Sequence, residues 1–339
     1  MTSRRFTCIS PAGASTLLAV RGLTKHFVLR GGLLRRPIGV VHAVDEVSFE
    51  LSPGEVLGVV GESGCGKSTT ARLLMRLIEP DDGIVALDGQ TVASGAAGAT
   101  MLRRQMQMVF QDSYASLNPR MSIEDSIAYA PWMHGTPRAG ARDAARALLD
   151  EVGLAAAQFA RRYPHELSGG QRQRVNIARA LALSPRVVIL DEAVSALDKS
   201  VEAQILNLLM RLRQSHGLTY LFISHDLNAV EYVSDRVLVM YLGRVVEAGP
   251  VDAIFNRPRH PYTQALLAAK LTADPRRRLA RAPIAGDPPD PIDPPSGCRF
   301  RTRCPFAEAA CGESVPVLVA DDSAPTHAVA CHLAIAGRL

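Results

Sequence analysis

The sequence predicts an α/β fold with a mainly parallel β-sheet, followed by a small cysteine-bearing tail. Short apolar runs of the kind found in buried parallel strands alternate with helical patterns along most of the 339 residues. One such run, residues 56–60, leads directly into a glycine-rich loop and then a helical pattern, which is the order of a nucleotide-binding βα unit. Hydrophobic residues make up 47% of the chain, which is enough for a sizeable core and excludes a disordered protein.

Residue periodicity and turn residues place the individual elements. Strand patterns lie at residues 17–27, 41–51, 56–60, 187–190, 219–223 and 237–241. Helical patterns lie at residues 69–77, 101–153 and 203–214, the second of them interrupted by Asn118-Pro119 and Pro131.

The two ends of the chain depart from this alternation. Residues 1–16 contain Arg4-Arg5 without the apolar stretch of an export signal, so they are expected to form an N-terminal extension. The sequence has no run of about eighteen apolar residues, so no membrane-spanning helix is predicted. A proline-rich linker is expected at 271–297 and a tail at 298–339. The net charge of +5 permits an anionic partner without selecting one.

The strongest motif is the segment at residues 61–68, here called the phosphate loop, which fits the Walker A pattern GxxxxGK[ST] at every fixed position. Its glycines let backbone N–H groups turn toward a β-phosphate, Lys67 supplies a positive charge, and the Ser68 hydroxyl is placed to ligate Mg²⁺. The strand before it and the helix after it disfavour a chance turn. Cys65 is interpreted as a small tolerated side chain rather than a redox switch. The expected nucleotide contacts are Gly61, Glu62, Ser63, Gly64, Cys65, Gly66, Lys67, Ser68 and Thr69.

Two adjacent acids end the apolar strand at residues 187–190. Asp191 is placed to hold the Mg²⁺ shell, and Glu192, on the opposite side of the strand end, could polarise an attacking water as general base. Adjacent acids after a strand also occur as helix N-caps, but the upstream phosphate loop favours the catalytic interpretation.

A second anion cradle is predicted at residues 167–171, here called the signature segment, where a serine and two glycines precede a basic helix. Its residues Ser168, Gly169, Gly170 and Gln171 lie far along the chain from Lys67, so they do not easily serve the same nucleotide. We expect them to close over the γ-phosphate held by another subunit. The alternative is a serine-capped helix with a flexible entry.

Together these motifs resemble the ATP-binding subunits of ATP-binding-cassette (ABC) transporters. The matching positions, in chain order, are the phosphate loop, Gln111 in Val109-Phe110-Gln111-Asp112, the signature segment, Asp191 with Glu192, Ser195-Ala196-Leu197-Asp198, and His225 in Ser224-His225-Asp226. The resemblance covers about residues 17–270. It implies a P-loop NTPase with a RecA-like parallel-sheet core, an antiparallel β subdomain and an α-helical signature subdomain at about residues 112–183.

The resemblance also implies residue roles. Gln111 would touch Mg²⁺ or water and sense the membrane subunit, Glu192 would be the catalytic base, and His225 would contact the γ-phosphate. Asp198 would lie at the dimer seam. Phe27 would stack on adenine, although a buried strand phenylalanine fits the same pattern. Ala193 stands where the family usually has proline, which leaves the acids intact and makes the local turn less rigid.

Residues 109–121, 256–267 and 294–305 are similar to the peptide- and nickel-importer branch of that family. This similarity implies peptides as cargo, with nickel, opines or other cargo as alternatives. It also implies a second ATPase subunit, with a sister subunit favoured over a second copy, two membrane permease subunits and an extracytoplasmic binding protein. The chain would lie at the cytoplasmic face of the inner membrane. A soluble ABC ATPase acting on nucleic acid or ribosomes is disfavoured by the single cassette, the absence of heptads and the modest charge.

Four cysteines crowd the tail, at positions 298, 304, 311 and 331, while Cys8 and Cys65 are isolated. The four tail cysteines are separated by five, six and nineteen residues, which differs from the spacing in common zinc knuckles. Four thiolates suit either Zn²⁺ or a 4Fe–4S cluster. The family resemblance favours the cluster, with zinc, free thiols or disulfides as alternatives. The predicted ligands are Cys298, Cys304, Cys311 and Cys331.

Overall fold

The computed structural model describes residues 15–32, 36–93, 95–269, 286–321 and 324–339. Most of the predicted N-terminal extension, Cys8 and the first part of the predicted linker lie outside these residues. No helix in the described ranges is both long enough and apolar enough to cross a membrane.

The strands found in the described ranges are, in chain order, β1 (Leu18–Gly31), β2 (Arg36–Leu51), β3 (Val56–Val60), β4 (Asp82–Leu87), β5 (Gln90–Thr91), β6 (Met106–Val109), β7 (Val187–Asp191), β8 (Thr219–Ile223), β9 (Arg236–Tyr241), β10 (Arg244–Pro250), β11 (Val319–Asp321) and β12 (Ala324–Val329).

The α-helices of the same ranges are α1 (Lys67–Leu74), α2 (Ala96–Gln105), α3 (Ile123–Met133), α4 (Arg138–Glu151), α5 (Ala156–Phe159), α6 (Gly169–Leu181), α7 (Lys199–His216), α8 (Leu227–Val233), α9 (Val251–Asn256), α10 (Pro261–Ala268), α11 (Ala310–Glu313) and α12 (His332–Ile335). A short 3₁₀ helix, Pro164–Glu166, precedes α6.

The chain divides into two compact units, and the first combines Met1–Ser52, Leu57–Val92 and Val230–Leu339. It contains an antiparallel sheet in the order β2-β1-β4-β5. It also contains the strand series β11-β12-β10-β9-β3, in which β3 and β9 are parallel and the other pairs are antiparallel. Because β12 belongs to the cysteine tail and pairs with β10, the tail shares a sheet with the strand that carries the phosphate loop.

The second unit consists of Pro53–Val56 and Ala93–Ala229. Its parallel strands are ordered β8-β7-β6, and every residue of β7 and β8 is buried, as expected for strands covered on both faces. Ser122 caps the start of α3, and its hydroxyl accepts a hydrogen bond of 3.2 Å from the Asp125 N–H. Because β6, β7 and β8 run parallel to one another, their carboxyl ends meet at one edge of the sheet.

Two local predictions differ from the structure. Residues 106–109, predicted as helical, form β6, because this segment pairs with β7, which buries Met106, Met108 and Val109. Short apolar runs do not distinguish a buried strand from a helix. Pro131 lies inside α3 instead of interrupting it, close to the end of that helix at Met133.

Candidate active site

The phosphate loop connects β3 to α1, and α1 begins at Lys67, two residues earlier than predicted. Gly66 has φ 104°, and a Cβ atom there would lie 2.2 Å from the Ala43 carbonyl oxygen. A Cβ on Gly61, at φ 152°, would lie 2.2 Å from the Met240 carbonyl oxygen. The loop can therefore approach β2 and β9 this closely only with glycine at both positions.

The Lys67 ammonium group is buried against the backbone of its own loop. It donates hydrogen bonds to the carbonyl oxygens of Gly61, at 2.7 Å, and Glu62, at 3.1 Å. It also lies 3.8 Å from the Cys65 Sγ atom. A buried cation with these uncharged partners is placed to pair with an anion that enters the loop.

Cys65 lies inside the same loop and is buried. Burial raises the pKa of its thiol, although the nearby Lys67 ammonium acts in the opposite direction. The side chain is therefore a neutral thiol at physiological pH, consistent with a packing role.

Two residues that the sequence analysis missed hold Glu62 of the phosphate loop. The Tyr262 hydroxyl accepts a hydrogen bond of 2.8 Å from the Glu62 N–H. The Arg303 guanidinium donates to both carboxylate oxygens of Glu62, at 2.8 and 3.1 Å. Sequence spacing contains no indication of these contacts, because 200 and 241 positions separate the partners.

In the second unit, the predicted Gln111, Glu192 and His225 come together at the carboxyl ends of β6, β7 and β8. The Gln111 side-chain amide donates a hydrogen bond of 2.8 Å to the Glu192 carboxylate. His225 Nδ1 lies 3.4 Å from the same carboxylate oxygen. A carboxylate oriented by an amide and an imidazole at a sheet edge can position a water molecule or accept a proton.

The backbone also turns sharply at Glu192, where φ is 49°, while Asp191 remains in β7 and is buried. The Glu192 N–H donates a hydrogen bond of 2.9 Å to the Ile223 carbonyl oxygen of β8. This left-handed conformation is uncommon for a residue other than glycine.

The signature segment forms the N-terminus of α6. The Ser168 hydroxyl accepts a hydrogen bond of 3.3 Å from the Gln171 N–H, and the Gln171 side chain accepts one of 3.0 Å from the Ser168 N–H. This capping box fixes the helix start, and Ser168 itself is exposed. Gly170 approaches α7 so closely that a Cβ atom would lie 2.5 Å from the Val201 side chain.

A groove of about 520 Å³ lies beside this helix start, lined by residues that include Gln111, Gly169, Arg172, Ala193 and Leu197. Asp198 follows as the exposed residue immediately before α7. The second unit therefore exposes, on its own surface, both the glutamine that holds Glu192 and a glycine of the signature segment.

Phe27 lies on β1 and is 36% exposed, so the interpretation as a buried strand phenylalanine is wrong. The Lys25 ammonium lies 5.6 Å from the centroid of its ring. The exposed ring remains available for stacking.

The four tail cysteines form one neighbourhood and no disulfide bond. Burial raises the pKa of Cys298 to about 11, and Cys311, Cys331 and Cys304 add to that rise because they lie close to it. Within the described ranges, no three of these sulfur atoms lie within 4.8 Å of one another.

Elsewhere, a group of potential metal ligands does not suit a metal ion. His26, His42 and Asp45 place one ligand atom each within 4.8 Å of the others. However, the Asp45 carboxylate already accepts hydrogen bonds from Arg244, at 2.9 and 3.1 Å, and from Arg299 of the tail. Two guanidinium groups balance the carboxylate and repel a cation, so we assign the group to ion pairing between the tail and β2.

Comparison with known proteins relates these motifs to a family. An ABC transporter family model matches residues 44–195, and a model of the oligopeptide/dipeptide transporter C-terminal region matches residues 246–311. A probable peptide ABC transporter ATP-binding protein of Sinorhizobium fredii is 51% identical, covering 94% of this chain and 90% of its own. The oligopeptide transport ATP-binding protein AppF of Bacillus subtilis is 47% identical, covering 96% and 99%.

The chain belongs to the ATP-binding subunits of ABC transporters. Among solved structures, cbiO1 of Clostridium perfringens, part of the ABC transporter complex cbiONQ, matches 72% of this ABC subunit and 92% of its own chain with 27% identity and a TM-score of 0.62. The predicted family and α/β fold are thus confirmed. The ABC subunit is an ATPase whose ligands are ATP and Mg²⁺, and ATPase subunits of ABC importers work with membrane permease subunits.

Proposed function

We propose that this ABC ATPase subunit energises the import of peptides. The observation that carries the proposal is the combination of relatives named for peptide transport, 47–51% identical over nearly the whole chain, with the oligopeptide/dipeptide transporter region at residues 246–311. The subunit lies at the cytoplasmic face of the inner membrane, with the cassette at residues 17–270 and the tail from residue 298.

In the proposed reaction, the phosphate loop binds the β- and γ-phosphates through its backbone N–H groups and Lys67. Glu192, held by Gln111 and His225, orients the attacking water and accepts its proton. Phe27 stacks on adenine. Mg²⁺, when bound, neutralises charge on the phosphates, and the oxygen-bearing side chains of Ser68, Gln111 and Asp191 are chemically suited to hold it.

The signature segment acts on the nucleotide of a second ATPase subunit, which we infer to be a sister subunit. Ser168 and Gly169 lie on the exposed start of α6, which favours contact with an external anion. Asp198 lies at the seam between the subunits. Binding of ATP closes the dimer and hydrolysis reopens it, so the permeases alternate their access and the cargo itself undergoes no chemical change.

The tail cysteines hold a 4Fe–4S cluster in this proposal. The fit is supported by four neighbouring free thiols, which are the number and type of ligands that such a cluster takes. The cluster, when bound, supplies a covalent crosslink within a tail that has a small core.

Reconstitution in liposomes with the sister ATPase subunit, two permeases and the extracytoplasmic binding protein tests the cargo. We expect peptide-loaded binding protein to stimulate ATP hydrolysis severalfold, whereas the same protein without peptide does not. Stimulation by nickel complexes or opines and none by peptides would contradict the peptide proposal while leaving the ATPase assignment intact.

A further inference from the structure

The cysteine tail reaches the phosphate loop through Arg303, the residue immediately before Cys304. Both nitrogen atoms at the end of its side chain bind the Glu62 carboxylate, and the arginine side chain is only 6% exposed. A bidentate contact of this kind is strong and geometrically defined.

Arg303 is itself held firmly by the tail. Its N–H donates a hydrogen bond of 3.0 Å to the Phe300 carbonyl oxygen, and Phe300 is buried against Tyr241 and Tyr262, with ring centroids 5.3 and 5.4 Å away. The Tyr262 hydroxyl in turn accepts a hydrogen bond from the Glu62 N–H. The backbone and the carboxylate of Glu62 are thus both anchored by residues outside the phosphate loop.

Glu62 creates an electrostatic problem in this position. It is the second residue of a loop that binds a triphosphate carrying several negative charges, and its own carboxylate repels that ligand. Without a partner, the carboxylate would also compete for the Lys67 ammonium, which already bonds to the Glu62 carbonyl oxygen.

We propose that Arg303 is a positioning residue of the nucleotide site, which neutralises Glu62 and turns its carboxylate away so that the phosphate loop can accept ATP. The inference rests on the proposed placement of the triphosphate in this loop. It makes the cysteine tail an integral part of the ATP site.

The test measures the dissociation constant of a non-hydrolysable ATP analogue, with Mg²⁺, by calorimetry on the full chain. Arg303→Gln leaves an unbalanced carboxylate, so we expect about tenfold weaker binding. Glu62→Gln leaves an extra positive charge and is expected to bind at least as tightly as the native chain. The double variant restores the native charge and is expected within about twofold of the native value.

Arg301→Gln is the matched control. Arg301 lies two positions away in the same tail. Its guanidinium donates hydrogen bonds to the carbonyl and hydroxyl oxygens of Ser296, at 2.9 and 3.3 Å. Its binding constant should stay within about twofold of the native value. Raising the ionic strength should reduce the loss in Arg303→Gln, because salt screens the unbalanced charge.

Other results would overturn the proposal. Equal losses in Glu62→Gln, Arg303→Gln and the double variant would mean that the pair is only a mechanical brace, and native affinity in Arg303→Gln would mean that it has no role. Lys67→Ala separates this failure from a failure of the underlying site, because native analogue binding in that variant would show that the triphosphate lies elsewhere.

Discussion

The Glu192 carboxylate receives a hydrogen bond from Gln111 of one neighbouring strand end and faces His225 of the other. These contacts orient one of its oxygen atoms while the backbone turn at φ 49° fixes the direction of the side chain. A residue held from both sides in a left-handed conformation indicates a requirement for a defined carboxylate position.

We expect Glu192→Gln to bind ATP normally and to lose at least about 100-fold in turnover, because glutamine keeps the shape but cannot accept a proton. Steady-state phosphate release and ATP-analogue binding measure the two quantities. Glu151→Gln is the control in the same unit, since Glu151 pairs with His216 on the surface and should retain activity. Turnover in Glu192→Gln equal to that of the control would show that the base is misassigned.

At the scale of elements, the start of α6 combines two glycines with different surroundings. A Cβ atom on Gly170 would lie 2.5 Å from Val201 of α7, whereas one on Gly169 would meet only Leu197 at 3.8 Å, an ordinary contact distance. Gly170 is therefore needed for the packing of α6 on α7, whereas Gly169 is free of that requirement.

Gly170→Ala should destabilise the protein by about 1–3 kcal/mol, because the added methyl group overpacks this contact. Gly169→Ala should leave the free energy of unfolding nearly unchanged, and thermal unfolding of the two variants checks the difference. Under the proposed dimer, Gly169→Ala still reduces ATPase activity by crowding the anion cradle. Full activity in this well-folded variant would exclude a phosphate contact at Gly169.

At the scale of the whole molecule, the tail contributes two strands, β11 and β12, to the first unit and two arginines to its interior. Arg299 bonds to Asp45 of β2 and to the Leu242 carbonyl oxygen, and Arg303 bonds to Glu62. The Pro291 carbonyl oxygen accepts a hydrogen bond of 3.0 Å from the His42 N–H. Pro291 belongs to the linker, so these contacts join both the linker and the tail to the nucleotide-binding part of their own unit.

Protein purified without oxygen should contain about four iron atoms and four acid-labile sulfides per chain, as a 4Fe–4S cluster requires. Cys304→Ser should lose most of this iron and lower the melting temperature, because the tail loses its crosslink. Cys65→Ser is the control, and this variant should retain the iron because Cys65 lies in the phosphate loop, not in the tail. Absence of iron and sulfide from the native protein would remove the cluster proposal.

Much of the fold, the phosphate loop and the signature segment could be predicted, because their determinants are local. The loop glycines, Lys67 and the apolar run of β3 are neighbours in the chain, and the same holds for the capping box of the signature segment. Strand β6 was missed because pairing with β7, which lies about eighty residues away, decided the conformation of a four-residue segment.

The sequence by itself determined the phosphate loop, the acids at the end of β7, the signature segment and the cysteine spacing, because each depends on residues whose backbone geometry is set within a few positions. Only the tertiary structure decided that Gln111 and His225 hold Glu192, and that Arg303 balances Glu62 across 241 positions. Such contacts follow from strand order and from the return of the tail onto β10. Spacing along a chain does not encode which distant segments the sheet brings together.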